Sequence, residues 1–309
     1  MKNLIVAVDH GNAMVKTPHR IFGCGLKCNK KRPSNGESLK FKGMWYTLAN
    51  ERTYLEDKTQ NDNYFILTLF AIAKEIIYNR EYEDGMEISL SVGLPPEHMY
   101  DTEKKDNWAK YFTKFGRKIE FDYNDKNFKI YIKRVDVSPQ GYAAVFAEPA
   151  LFADKYKSYI VDVGGYTVDV LTVQNGVLDN ALIRSLPMGI ITFFNSATNQ
   201  VKTDTGINIQ EDNIEEFLRT GTTNRKDVTE ALQRTWSEYA QKLVNKLREL
   251  DIDLRIQNVV FMGGGAAYLE REIKRVSEDS KSISIIRDIH TNAVGYHKIT
   301  EHRLSRQRK

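Results

Sequence analysis

Short apolar runs rich in Val, Ile and Leu alternate along the chain with stretches of helical periodicity, the pattern of a mixed α/β protein. Leu4 to Lys16 reads LIVAVDHGNAMVK: an apolar strand, a break at Asp9-His10-Gly11, then a second strand. Tyr159 to Val173 reads YIVDVGGYTVDVLTV, two β-rich runs joined at Gly164-Gly165-Tyr166. Further strands are expected around Gly43 within Phe41 to Ala49, at Met86 to Val92, Lys118 to Tyr123, Phe128 to Val137, Val177 to Leu186, Ile256 to Met262 and Ile283 to Arg287. Helices are expected at Asn63 to Asn79, Asp101 to Phe115, Tyr142 to Phe152, Ile190 to about Gln200, Asp212 to Leu218, Arg225 to Leu250, Ala266 to about Val276 and from Asn292 onward. In the long helix, Leu232, Trp236, Tyr239, Leu243 and Leu247 form one apolar stripe and read as core. Ile21 to Lys42 is polar, with Gly23-Cys24-Gly25 and Pro33-Ser34-Asn35-Gly36, and reads as turns. Gly93-Leu94-Pro95-Pro96 is expected to end the strand before it.

The two hairpins share one device. Asp9-His10-Gly11 and Asp162-Val163-Gly164 each put a carboxylate at the end of an apolar strand and a glycine turn after it. Turn amides suit phosphate oxygens and a carboxylate suits the accompanying divalent cation. An ordinary hairpin has the same local pattern, but its recurrence half a chain later points to duplication: two related α/β domains with a ligand between them. Lys16, on the second strand, has an ammonium that could reach a phosphate oxygen; as an ordinary surface lysine it would need no such role. Gln140 follows a strand in Ser138-Pro139-Gln140-Gly141, at the expected start of a small-residue helix, where a glutamine can orient an attacking water. As a bare turn residue it would need no such role. Strand, Gly263-Gly264-Gly265, helix forms a nucleotide cradle or a simple tight turn. The chain carries neither a Walker loop nor a Rossmann glycine fingerprint.

Length and composition change this picture little. The 309 residues accommodate two domains, and 41% hydrophobic with 28% charged residues is a globular balance. The longest apolar run, Phe65 to Ala73, is too short to cross a bilayer, and the chain enters a strand almost at once, so a cytoplasmic protein without a secretory signal is expected. Cys24 and Cys28, with His10 and His19 nearby, lack the spacing of a zinc site and read as reduced thiols. The net charge of +4 owes much to His302 to Lys309, a basic tail more typical of a solvated helix end than of a nucleic-acid reader.

In this order the pieces resemble the actin superfamily, and most nearly its bacterial plasmid-segregation members of the ParM/StbA type. Asp9 through Lys16 looks like the first phosphate loop, Ser138 to Gly141 the first connecting segment, and Asp162 through Asp169 the second phosphate loop. Gly263 to Gly265 looks like the adenosine motif and Asn292-Ala293-Val294-Gly295 the second connecting segment. The resemblance implies an actin-like ATPase fold, with two ribonuclease-H-like α/β domains flanking a nucleotide cleft. The domains would span 1–155, completed by a helix at 291–309, and 156–290. It implies Mg²⁺ and ATP, with GTP as the alternative. Asp9 and Asp162 would organise the metal, and Gly11, Asn12, Lys16, Gly164, Gly165 and Thr167 would contact phosphates. Gly263, Gly264 and Gly265 would lie against the nucleoside. Gln140, where many relatives carry glutamate, would orient water rather than act as a strong base. The implied function is a filament whose ATP hydrolysis destabilises the polymer. A DNA-binding adaptor on a plasmid centromere-like site would connect filament growth to the cargo, with no direct sequence-specific DNA binding by the chain and no membrane. A small-molecule kinase of the same superfamily and a filament without plasmid cargo are the alternatives.

Overall fold

The computed structural model describes residues 3–49, 51–52, 58–80, 82–277, 280 and 282–307, so the last two residues of the basic tail lie outside the described residues. Its contacts divide the chain into two units, Met1–Pro149 with His290–Lys309, and Ala150–Ile289. In chain order the elements of the first are β1 (Asn3–His10), β2 (Met14–Lys16), β3 (Ile21–Gly23), β4 (Gly25–Asn29), β5 (Ser38–Phe41), β6 (Met44–Ala49), α1 (Asn63–Asn79), β7 (Met86–Leu94), α2 (Thr102–Tyr111), β8 (Lys118–Tyr123), β9 (Lys126–Pro139) and α3 (Ala144–Ala147). The second contains β10 (Lys157–Val163), β11 (Val168–Gln174), β12 (Val177–Leu186), α4 (Ile190–Thr205), α5 (Glu211–Thr220), α6 (Lys226–Glu249), β13 (Asn258–Met262), α7 (Ala266–Val276) and β14 (Ile283–Ile285). The chain then returns to the first unit as α8 (Thr291–Gln307).

The two sheets repeat one topology. In the second unit the order is β12-β11-β10-β13-β14, and within the nine-stranded sheet of the first the run β3-β2-β1-β7-β9 matches it strand for strand. In both, the first strand pairs antiparallel with the second, the second antiparallel with the third, and the first parallel with the fourth, which pairs parallel with the fifth. The first unit then adds β8, β5, β6 and β4 beyond β9.

In the first unit the sheet is covered on both faces, and strand alternation shows how. Val6 and Val8 of β1 join the core built on α1, whereas Ala7 packs with Ala143 and Tyr296. Ile88, Leu90 and Val92 of β7 likewise face the α1 core. Ser89 and Ser91, between them, are fully buried. The Ser91 hydroxyl donates to Tyr296 O (3.1 Å) and accepts from Thr300 (3.0 Å), both on α8. These small polar residues let a helix backbone approach the sheet. At Gly93 a Cβ would lie 2.2 Å from the Tyr296 hydroxyl. Helix α1 is apolar nearly all round, with Tyr64 to Ala73 buried, as expected of a helix inside the core.

In the second unit α4, α6 and α7 pack on one face of the sheet around Val161, Val163, Val259 and Phe261. The whole predicted stripe of α6, Leu232 to Leu247, is buried, and Trp236 packs on Phe193 of α4 at 4.4 Å between ring centroids.

Several expectations need correction. The polar stretch 21–42 contains β3, β4 and β5. β4 is a sheet edge with Lys27, Cys28 and Asn29 exposed, and such edges carry polar residues that mask a strand pattern. β7 continues through Gly93 and Leu94 before Pro95, because Leu94 still pairs with Pro139 of β9. Helix α2 ends at Tyr111, and its cap is Asp101, whose Oδ1 accepts from Lys104 N–H at 3.0 Å. Helix α4 runs on to Thr205 and stops at left-handed Gly206. β13 begins at Asn258, leaving Ile256 exposed before it, and β14 ends at Ile285. The expected Tyr142–Phe152 helix is only the single turn α3 followed by a 3₁₀ turn at Pro149–Leu151. Pro149 has no N–H and disfavours helical backbone at Glu148, which sits at φ −126° and ψ 62°.

Candidate functional site

In the first unit the candidate residues gather at the C-terminal end of β1. Asp9 is buried, and β pairing sets it opposite Lys16. Lys16 Nζ lies 3.7 Å from Asp9 Oδ2, and Gln140 Nε2 lies 3.4 Å from Asp9 Oδ1. The half-buried Gln140 is held by sheet pairing rather than by a helix end. Its N–H donates to Leu94 O (2.9 Å), and the next N–H, Gly141, donates to Asn292 Oδ1 (3.0 Å) at the start of α8. The two connecting segments are thus pinned to each other, and at Gly295 a Cβ would sit 2.2 Å from Ala143 O, so only glycine allows this approach.

Gly11 and Asn12 form the turn between Asp9 and Lys16. The intervening His10 points away from the turn, into Tyr64, Trp108 and Phe112. Its Nε2 lies 2.8 Å from Thr68 Oγ1, whose own proton goes to Tyr64 O, so Nε2 is the protonated nitrogen. Burial, reinforced by Lys58, holds His10 well below the usual imidazole value and keeps it neutral. No group of three or more His, Cys, Asp or Glu side chains suited to a metal occurs among the described residues. Cys24 is buried and Cys28 exposed.

In the second unit Asp162 is buried at the matching position, one residue before the end of β10, and pairs with Asp169 across the hairpin. The turn between them is tied internally and to α4. Gly164 N–H donates to Thr167 O (2.9 Å), while Gly164 O and Gly165 O accept from Ile190 and Ile191 N–H (both 3.0 Å). Gly189 N–H donates to Tyr166 O at 2.9 Å. The first amides of α4 therefore hold the hairpin turn. The glycine triple packs directly on the same strand end. Gly263 has φ +91°, and a Cβ there would lie 2.3 Å from Asp162 Oδ1. Gly265 N–H donates to Val163 O (3.0 Å), while Gly264 has open space where a Cβ would be. The structure thus brings Asp162, Gly164, Gly165, Thr167 and Gly263 to Gly265 together in one unit, and Asp9, Gly11, Asn12, Lys16 and Gln140 together in the other.

The residues present fit a magnesium nucleotide. Mg²⁺ keeps most of its waters and uses one or two carboxylates with phosphate oxygens, so a buried aspartate at each hairpin suits it without an all-protein cage. Gly264, which could hold a side chain but has none, leaves a smooth surface for a flat or anionic group.

Lys58 and Gly189 belong to these sites but carry no motif. Lys58 Nζ donates to His10 O from a turn ahead of α1. Burial pulls its ammonium down to about 8, against the upward pull of Asp9 and Cys24, with Lys16 adding to the fall. Nothing local marks it. Gly189 stands in Pro187-Met188-Gly189, a visible helix-entry signal whose contact with the hairpin is purely tertiary.

Residues 36–142 match the model of actin-like protein N-terminal domains, and residues 160–275 match that of the C-terminal region of archaeal MreB-like actin homologues. No curated protein sequence matches the chain. Among solved structures it resembles the archaeal actin homologue Ta0583 (TM-score 0.77, 15% identity, covering 97% of this chain and 99% of the other). It also resembles the apo pSK41 ParM protein (TM-score 0.74, 13% identity, 100% of both chains). A third similar structure is a subunit of the 15-stranded ParM filament from Clostridium botulinum (TM-score 0.72, 16% identity, 98% and 100%). No helix among the described residues is long and apolar enough to cross a membrane. Actin-like models match both its N-terminal and its C-terminal regions, and the chain has the actin-like fold seen in ParM and Ta0583.

Proposed function

We propose that this protein is an ATPase that polymerises on binding Mg-ATP into dynamic filaments, and that these filaments segregate plasmid DNA. The observation that carries the nucleotide part is the pair of buried aspartates, Asp9 and Asp162. They occupy the same place in two sheets that share a five-strand topology, each beside a glycine turn. Asp9 and Asp162 serve Mg²⁺, which would neutralise charge on the β- and γ-phosphates. Gly11, Asn12, Gly164, Gly165 and Thr167 border the phosphates, with Lys16 as counter-charge, and Gly263 to Gly265 border the nucleoside. Gln140 holds and orients the attacking water; phosphoryl transfer depends mainly on such positioning and on electrostatic stabilisation. A complex of Ta0583 with ADP, 17% identical over 97% of this chain, supports nucleotide binding by the fold. The ParM and Alp12 filament structures support self-association. The partners in this reading are further copies of the chain and a DNA-binding adaptor, in the cytoplasm. One finding favours a second reading, a filament without plasmid cargo: the C-terminal match is to archaeal MreB-like proteins.

Light scattering and sedimentation of the purified protein with Mg-ATP or Mg-GTP, with phosphate release followed in parallel, test this. Scattering is expected to rise and then fall as phosphate appears. Hydrolysis by a particle that stays small at high concentration would overturn the filament claim and direct attention to kinase acceptors.

A further inference from the structure

A loop that offers an N–H to a phosphate turns the carbonyl of the same peptide away from it. At the end of β1 and in the loop after it, the His10 and Asn12 carbonyls are held by two side chains that lie outside every recognised motif. Lys58 Nζ donates to His10 O. The Cys24 thiol lies 2.7 Å from Asn12 O, and the Cys24 N–H donates to the next carbonyl, Ala13 O, at 3.1 Å. Every peptide bond here is trans. In a trans peptide the C=O of one residue and the N–H of the next point in opposite directions. Drawing His10 O toward Lys58 therefore turns Gly11 N–H the other way, and drawing Asn12 O toward Cys24 does the same for Ala13 N–H.

We propose that Lys58 and Cys24 are positioning residues of the first phosphate loop, which hold its carbonyls from behind and so aim the Gly11 and Ala13 amides at a bound polyphosphate. The inference rests on the nucleotide reading given above and names two residues for it. Lys58 is itself fixed, with its ammonium 5.1 Å from the centre of the Tyr64 ring on α1. Cys24 is fixed by burial between β3 and β4. Lys58 acts through backbone, so arginine, which keeps the charge and N–H donors, is a partial substitute, whereas methionine, of similar length without a donor, is not.

The full chain should be compared as wild type, Lys58→Met, Lys58→Arg, Cys24→Ala and, as a control on an exposed thiol, Cys28→Ser. Hydrogen exchange of residues 10–14 is measured without nucleotide, and Mg-ATP affinity is measured by titration. Lys58→Met and Cys24→Ala are expected to speed exchange in this loop alone and to weaken Mg-ATP by about 10-fold or more, the size of a lost charge-assisted or buried hydrogen bond. Lys58→Arg is expected to recover much of the affinity, and Cys28→Ser to match wild type. Unchanged loop exchange in both Lys58→Met and Cys24→Ala overturns the clamp, as does a loosened loop that binds Mg-ATP as tightly as before. Should Lys58→Met fail to fold, Cys24→Ala and Lys58→Arg still decide. If wild type binds neither Mg-ATP nor Mg-GTP, the nucleotide reading falls, and the aiming of amides at phosphate falls with it. The exchange data taken without nucleotide then separately decide whether the clamp exists.

Discussion

Gly263 is the residue where backbone conformation and site chemistry meet. Its φ of +91° and the 2.3 Å separation of a hypothetical Cβ from Asp162 Oδ1 leave no room for any side chain. Gly263→Ala should therefore cost about 1–3 kcal/mol of stability in backbone strain and also displace the Asp162 carboxylate. Thermal unfolding and Mg-ATP titration should both register it. Gly264→Ala, with open space around it, should leave the unfolding midpoint near that of wild type. Gln140 makes the complementary test. Its amide reaches toward Asp9 without being needed to fold the strand, since backbone pairing to Leu94 holds the segment. Gln140→Ala is expected to slow phosphate release on the order of 10- to 100-fold while Mg-ATP binding and assembly persist. Assembly lost together with hydrolysis would count against a water-orienting role. Such residues were legible because aspartates and glycines at strand ends stand out from an apolar background. Lys58 did not stand out, because a lysine in a polar stretch looks like any surface lysine until the carbonyl it holds is known.

At the scale of elements, α6 contributes more buried residues to the second unit's core than any other helix or strand. Leu243 is fully buried on its inner stripe beside Val244 and Leu247. Leu243→Ala is expected to destabilise by about 2–5 kcal/mol, read as a lower midpoint in chemical denaturation followed by circular dichroism. The neighbouring exposed Lys242 gives a reference substitution with little effect. Periodicity predicted this helix to within a residue at each end, and α1 and β12 at both ends, because long or strongly patterned segments carry their own signal. It failed where the signal is short or masked. The edge strand β4 carries lysine and asparagine on its exposed positions, so alternation never shows. The segment after Gln140 is rich in alanine and reads as helix, yet Pro149 and the contact of Gly295 with Ala143 limit it to one turn. Gln140 is consequently positioned by a sheet and by Asn292, not by a helix terminus.

For the molecule as a whole, the first unit is discontinuous: α8 comes from the far end of the chain and covers the face of β1 and β7 that carries Ala7, Ser89 and Ser91. Deleting residues 290–309 would expose that face and remove Tyr296 and Asn292 from their contacts with Gly93 and Gly141. The expected result is loss of cooperative folding in the first unit, with rapid proteolysis there. The second unit should survive as a protease-resistant core, since its sheet and helices form their own buried cluster. Equal loss of both units in limited proteolysis would show that the second does not stand alone.

The sequence by itself determined the two strand–turn–strand devices, the helical phases and the duplicated character of the chain, because each is written in neighbouring residues whose spacing follows backbone geometry. Only the tertiary structure decided the rest. It gave both units the same strand order and buried the serine face of β7 under α8. It put Lys58 behind a carbonyl 48 positions away and joined Asn292 to an amide 151 positions away. Those contacts are between residues distant in sequence, and which distant residues meet depends on how all the sheets and helices pack at once, a property that no local pattern carries.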